Sequence, residues 1–162
     1  MKPGNFSCHI FLLILTSCSL AMSSCGTKDT VWTKSAGLPC STWDRENKLV
    51  FVPDSDKLEK GSPKRLVLFV KYKENANLST LPLIIETESS VAGHEYSLDS
   101  VYMELFDKNG KPKGNGSYGM YEKSDTFNLL YPVVEGWSLT ANPAVSTEKA
   151  EGIIAFGISL LK

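Results

Sequence analysis

The sequence predicts an all-β domain, an antiparallel β-sandwich of about seven or eight strands, preceded by a lipoprotein leader and a short tether. Three observations predict it. Short runs rich in β-branched and aromatic residues recur along the chain, as in Arg65–Tyr72 (RLVLFVKY). Ile153–Leu161 alternates cleanly, with Ile154, Phe156, Ile158 and Leu160 facing one way and Ala155, Gly157 and Ser159 the other. Dense turn formers separate the runs, most of all in Asp107–Gly116 (DKNGKPKGNG).

The elements follow in order. Gly26–Pro39 is polar and lacks apolar periodicity, so residues 25–42 read as a tether and residues 43–162 as the folded domain. Lys48–Val52 is the first candidate strand and Arg65–Tyr72 the second. Leu81–Glu88 (LPLIIETE) is the third, although Pro82 restricts it to an edge or places the proline near its start. Ser97–Asp107 comes next, with Asn109-Gly110 suited to the positive φ angles of a tight hairpin turn. Ser117–Glu122 is weaker. Thr126–Val133 alternates, with Phe127, Leu129 and Tyr131 on one face. Trp137–Ala141 is short, and Ile153–Leu161 closes the chain. One segment has helical composition: Val145–Glu151, two turns at most, stopped by Gly152.

The first two dozen residues set an address. Lys2 is the only charged side chain in the short n-region, and Ile10–Met22 is an apolar run. It is too short for a bilayer span of about 20 residues and fits a signal h-region. The run ends in Ser23-Ser24-Cys25-Gly26, so residues 1–24 read as a lipoprotein signal peptide with Cys25 as the lipidated residue. Leu15-Thr16-Ser17-Cys18 is the alternative, with the better residues before its cysteine but a position inside the apolar run. The leader dissolves the apparent framework of four cysteines. Cys8 is lost with it, one of Cys18 and Cys25 carries lipid, and Cys40 has no evident partner.

All 18 acidic residues and all but one of the 17 basic ones lie beyond the leader. A near-neutral, mixed surface of that kind argues against a nucleic-acid partner, which requires a basic footprint. The chemistry that a site needs is hard to assemble. His94 is the single histidine after the leader, with no cysteine near it, which leaves metal-ligand spacing and a serine triad without support. Asp107 opens a stretch that superficially resembles a calcium loop, but Pro112 and Tyr118 occupy the positions where an EF-hand needs Gly and Glu. No cofactor is implied. Trp32, Trp43 and Trp137 could stack on sugar rings, or could be core or interface anchors. Trp43 and Trp137 are the candidate interaction aromatics.

The order of these features resembles the gliding-motility lipoprotein GldH family of the Bacteroidetes. The resemblance is carried by Cys25, by Trp43-Asp44, by Arg65–Tyr72 and by Asn77–Glu86 (NLSTLPLIIE). Its most specific block is Asp99–Gly110 (DSVYMELFDKNG) with Gly114-x-Gly116, and it closes with Gly152-Ile153-x-x-Phe156-Gly157-Ile158. Two departures stand out. The family's Asn-Leu-x-Leu is spread over Asn77–Leu83, and its Trp-Leu before Gly-x-Gly is replaced by Lys111-Pro112-Lys113. The resemblance implies a non-enzymatic accessory lipoprotein of the cell envelope, tied to the gliding and type IX secretion apparatus, with other envelope proteins as partners.

Lipoprotein cysteines of this kind are expected to carry a diacylglyceryl group, often with a further N-acyl chain such as palmitate, which anchors firmly in the bilayer. Gly26-Thr27-Lys28-Asp29 lacks the acidic run of a surface-export signal, which favours the periplasmic face of the outer membrane. Asp29-Thr30-Val31 is similar to the O-glycosylation signal of this bacterial group, with Thr30 as acceptor. Asp99-Ser100-Val101 matches too but falls within a predicted strand. A glycan-binding sandwich module is the alternative function, motivated by the tryptophans.

Overall fold

The computed structural model describes residues 29–58, 63–89, 97–129 and 133–162. They form a nearly all-β antiparallel sandwich. In order the elements are β1 (Thr30–Gly37), a 3-10 turn (Pro39–Ser41), β2 (Thr42–Asp44), β3 (Leu49–Phe51), a single helical turn α1 (Ser55–Leu58), β4 (Arg65–Lys73), β5 (Thr80–Glu88) and β6 (Ser97–Glu104). There follow β7 (Asn115–Ser117), β8 (Met120–Asn128), β9 (Ser138–Pro143), β10 (Lys149–Glu151) and β11 (Ile153–Leu161). One sheet has the order β1-β11-β4-β8-β7, the other β3-β9-β5-β6, and β10 pairs with β2 in a small ribbon.

Alternation decides which side of each strand is buried. In β4, Leu66, Leu68, Val70 and Tyr72 turn inward; in β5, Leu81, Leu83 and Ile85 do. Between the sheets the Trp43 ring lies 5.1 Å from Phe156, whose other side meets Phe51 at 6.0 Å. Those aromatic contacts, with Ile158, Leu160, Leu139 and Met103 around them, make the centre of the core.

Several expectations are corrected. The tether expected over 25–42 ends earlier, because Thr30–Gly37 is a strand paired with β11, with a register shift between Thr30 and Trp32, and Trp32 is buried on its inner side. The exposed Thr33, Lys34 and Ser35 disguise it, and Thr33 donates to Ser159 across the strand pair. Ser117–Glu122 and Thr126–Val133 are not two strands. A single β8 pairs with β4 continuously from Lys73↔Met120 to Arg65↔Asn128, and the polar Lys123-Ser124-Asp125 in its middle hides its continuity. Val145–Glu151 is not helical: two turns cannot nucleate a helix alone. Instead Val145 and Ala150 are buried, and Lys149–Glu151 pairs with β2. In β11 a register shift between Ile153 and Ala155 places Ile153, rather than Ile154, in the core.

Pro82 lies near the start of a strand that is central, between β9 and β6. It occupies the last rung toward β9, where only its carbonyl is used, accepting from Ala144 N–H at 2.9 Å. Asn109-Gly110 lies in a tight turn between Phe106 and Pro112, an isolated antiparallel pair, with Gly110 at φ 77° and its N–H donating to the Asp107 carbonyl at 3.0 Å. A second, two-residue turn at Tyr118-Gly119 joins β7 to β8, with both residues at positive φ (54° and 75°).

The strands run between two ends. The Asp29 end gathers the starts of β1, β4, β6 and β9. The Asp107 end gathers their finishes, with the turns at 74–79, 105–119 and 144–152.

Candidate interaction surface

Among the described residues one side of the sandwich is open. β6 ends its sheet, and β7 covers only Met120–Glu122 of β8, so β6 and the rest of β8 have no outer partner strand among the described residues. Between them lies a cavity of about 320 Å³ with a floor of Leu66, Leu68, Ile85, Val101, Phe127 and Trp137. Thr87, Ser97, Asp99 and Asn128 form its polar rim. A shallower groove of about 620 Å³ continues toward the Asp107 end past Tyr102, which is 68 % exposed.

Charges line this second groove in pairs. Lys113 bonds to Glu104, and Lys123 to Asp125. The Lys113 hydrogen bond and charge hold the Glu104 carboxyl below its ordinary pKa, and Glu104 in turn raises Lys113. Asp107, at the adjoining turn, is lowered by accepting the backbone N–H groups of Lys111 (2.9 Å) and Asn109 (2.8 Å) on Oδ1. Behind the turn, the Tyr72 hydroxyl donates to the Leu105 carbonyl at 2.7 Å and accepts from Gly114 N–H at 3.2 Å. Burial raises the Tyr72 pKa. The carboxylates are thus held ionised and the phenol protonated. The arrangement offers paired fixed charges beside an exposed aromatic ring.

The glycines here are structural. A Cβ on Gly114 would stand 2.3 Å from the Glu122 carbonyl oxygen, and one on Gly116 would stand 2.1 Å from that of Met120. Gly-x-Gly is therefore the sequence trace of β7 pressed against β8, not of a ligand loop.

The residues singled out from sequence are not brought together. Trp43 is fully buried, with its indole N–H donating to the Asn47 carbonyl at 2.8 Å, and Trp137 is 4 % exposed. Both are core, which removes them as interaction aromatics. Only Trp137 touches the open side, as part of the cavity floor. Thr30 is exposed at the start of β1, opposite Leu161. Cys18, Cys25 and His94 lie outside the described residues. Among the described residues no group of three or more His, Cys, Asp or Glu could hold a metal, and no helix is long and apolar enough to cross a membrane. Sequence reading missed Tyr102 and the paired charges. Their only signal was alternation within β6 and β8, whose outer neighbours could not be known.

The described residues define a nearly all-β antiparallel sandwich with paired charges along its unpaired strands. The chain belongs to the GldH lipoprotein family, whose model matches residues 30–160, from the first residue of β1 almost to the end of β11. It is an envelope lipoprotein of the GldH type, lipid-anchored in the cell envelope. No curated protein matches the chain. Among solved structures it is similar to one described as the structure of Eiger TNF from S. frugiperda, with 11% identity and a TM-score of 0.33. That match covers 62% of this chain and 60% of the other.

Proposed function

We propose that this lipoprotein is a non-enzymatic accessory component that docks on a cell-envelope assembly of the gliding or type IX secretion kind. Cys25 carries the lipid, and residues 25–29 are the tether. The protein sits at the outer membrane and faces the periplasm. Membership of the family over residues 30–160 is the observation that carries this reading. The cysteine-ended leader supports the anchor. The open side supplies a rigid, charge-patterned surface on which a protein can dock. The glycan-binding alternative is weakly motivated, since Trp32 and Trp43 are buried in the core and Trp137 reaches a surface only at the cavity floor.

Affinity capture of the lipidated protein from native membranes, with mass spectrometry, tests the proposal. Secretion or motility components should be enriched over a lipid-anchored control, and deletion of the gene should impair delivery of surface proteins. Unchanged delivery, with no envelope protein enriched, would refute the accessory role. The same digest reads a glycan on Thr30 as added mass on the peptide that contains Asp29-Thr30-Val31.

A further inference from the structure

We infer that the Asp29 end of the sandwich rests against the bilayer, with Val50 and Val52 as its apolar contact, while the Asp107 end is held away. The inference rests on the proposed lipidation of Cys25. Only Gly26, Thr27 and Lys28 separate Cys25 from Asp29, a reach of about 14 Å when fully extended. From Asp29 onward the chain is pinned. The Asp29 carbonyl accepts from Lys162 N–H at 2.9 Å, its carboxylate stands 3.8 Å from the Arg65 guanidinium, and Thr30 already pairs with Leu161. The leash lets the Asp29 end rise no more than about 14 Å from the lipidated residue.

Two of the few large exposed apolar side chains lie at this end. Val50 and Val52 are 58% and 51% exposed. β3 runs toward the Asp29 end, because Phe51 pairs with Leu139 at the start of β9. The chain then turns through α1, which packs on β1, and re-enters the sheet at Lys64, whose N–H donates to the Leu161 carbonyl at 2.8 Å. Val52 therefore stands at the end from which the lipid leash leaves, where an interfacial contact removes apolar surface from water, with Val50 behind it on the outward face of β3 opposite Thr140. β4 has nine residues. At about 3.4 Å each, they put the opposite end roughly 30 Å farther out. Tyr118, 98% exposed at the β7–β8 turn, is there. So are the Asp107 turn and its paired charges.

The test uses the mature lipoprotein in vesicles of phosphatidylethanolamine and phosphatidylglycerol that contain a nickel-chelating lipid. Spin labels are placed at Val52→Cys or Asn109→Cys in a Cys40→Ser background. The label at 52 should collide with the nickel lipid several-fold more often than the label at 109. A 15-residue Gly/Ser insertion after Lys28 should reduce that ratio. Equal or reversed accessibility, with mass spectrometry placing the lipid on Cys25, would overturn the orientation and leave the lipidation reading intact. Lipid on Cys18 would overturn both, because that leash reaches about 38 Å.

Discussion

The two ends of the sandwich are built differently. At the Asp29 end the described residues are tied by backbone bonds such as Lys64 N–H to the Leu161 carbonyl and Leu129 N–H to the Lys64 carbonyl, and by the Arg65 guanidinium beside Asp29. At the Asp107 end the chain is forced into close approaches. Gly114 and Gly116 lie under the β8 backbone, and Gly152 takes φ +84° with its α-carbon against Ala76. Asp107 closes its own turn, and the Tyr72 hydroxyl ties that turn to β4. Several motifs of the family resemblance, Trp43-Asp44, Asp107–Gly110, Gly114-x-Gly116 and Gly152-Ile153, lie at this second end, whereas Arg65–Tyr72 and Asn77–Glu86 run along the sheets toward the first. A motif that looks like a site can be the imprint of packing.

The largest effect should come from the core beneath that end. Trp43→Ala removes a fully buried ring and should cost about 4 kcal/mol in denaturant unfolding. If Trp43 were instead a surface ligand contact, stability would be unchanged. Gly152→Ala should follow at about 3 kcal/mol, because it combines a left-handed backbone with a Cβ 2.5 Å from the Ala76 α-carbon. Gly37 has nothing within 4 Å of a built Cβ, so Gly37→Ala is a control that should shift stability by less than about 1 kcal/mol. Equal losses at the two glycines would break the comparison.

Tyr72→Phe should cost about 1–2 kcal/mol, since the Gly114 N–H loses its acceptor while the Leu105 carbonyl keeps Lys113 N–H. Amide exchange should quicken at Gly114 and stay unchanged at Leu129. The smallest effect is the pH dependence of the exposed charges. Glu104 and Asp107 have lowered pKa values, so their stabilisation is complete above the unfolded carboxylate value near ~4 and is lost as pH falls through the lower folded values. Lys113 is raised, so its contribution is complete below its unfolded value near ~10.4 and is lost as pH rises through the folded one. A scan of Tm against pH should show a flatter acid limb for Glu104→Gln with Asp107→Ala than for the unsubstituted protein.

Much of the sandwich was legible. β4, β5 and β11 announce themselves because each buries one face and carries apolar residues at alternate positions. β1 and β8 were harder to read. β1 is an edge strand with mainly polar side chains, and β8 borders the open side, so the inward Lys123 and Asp125 interrupt its pattern. β2, β7 and β10 are three residues each, too short for any period to register. Turn chemistry is legible at Asn109-Gly110, where Gly110 takes the positive φ, but not at Tyr118-Gly119, where the pairing of β7 with β8 imposes two positive φ angles on a tyrosine and a glycine. The open side was invisible in the sequence, since alternation shows which face of a strand is buried but not which strand lacks a neighbour.

The proposed anchor at Cys25 lies only a few residues from the first strand. The mass of the N-terminal peptide of the mature protein from native membranes tests it most directly. This peptide should begin at Cys25 and carry the mass of a diacylglyceryl group, with or without a further acyl chain. An unmodified N-terminus at or beyond Cys25, in protein recovered from the soluble fraction, would contradict it.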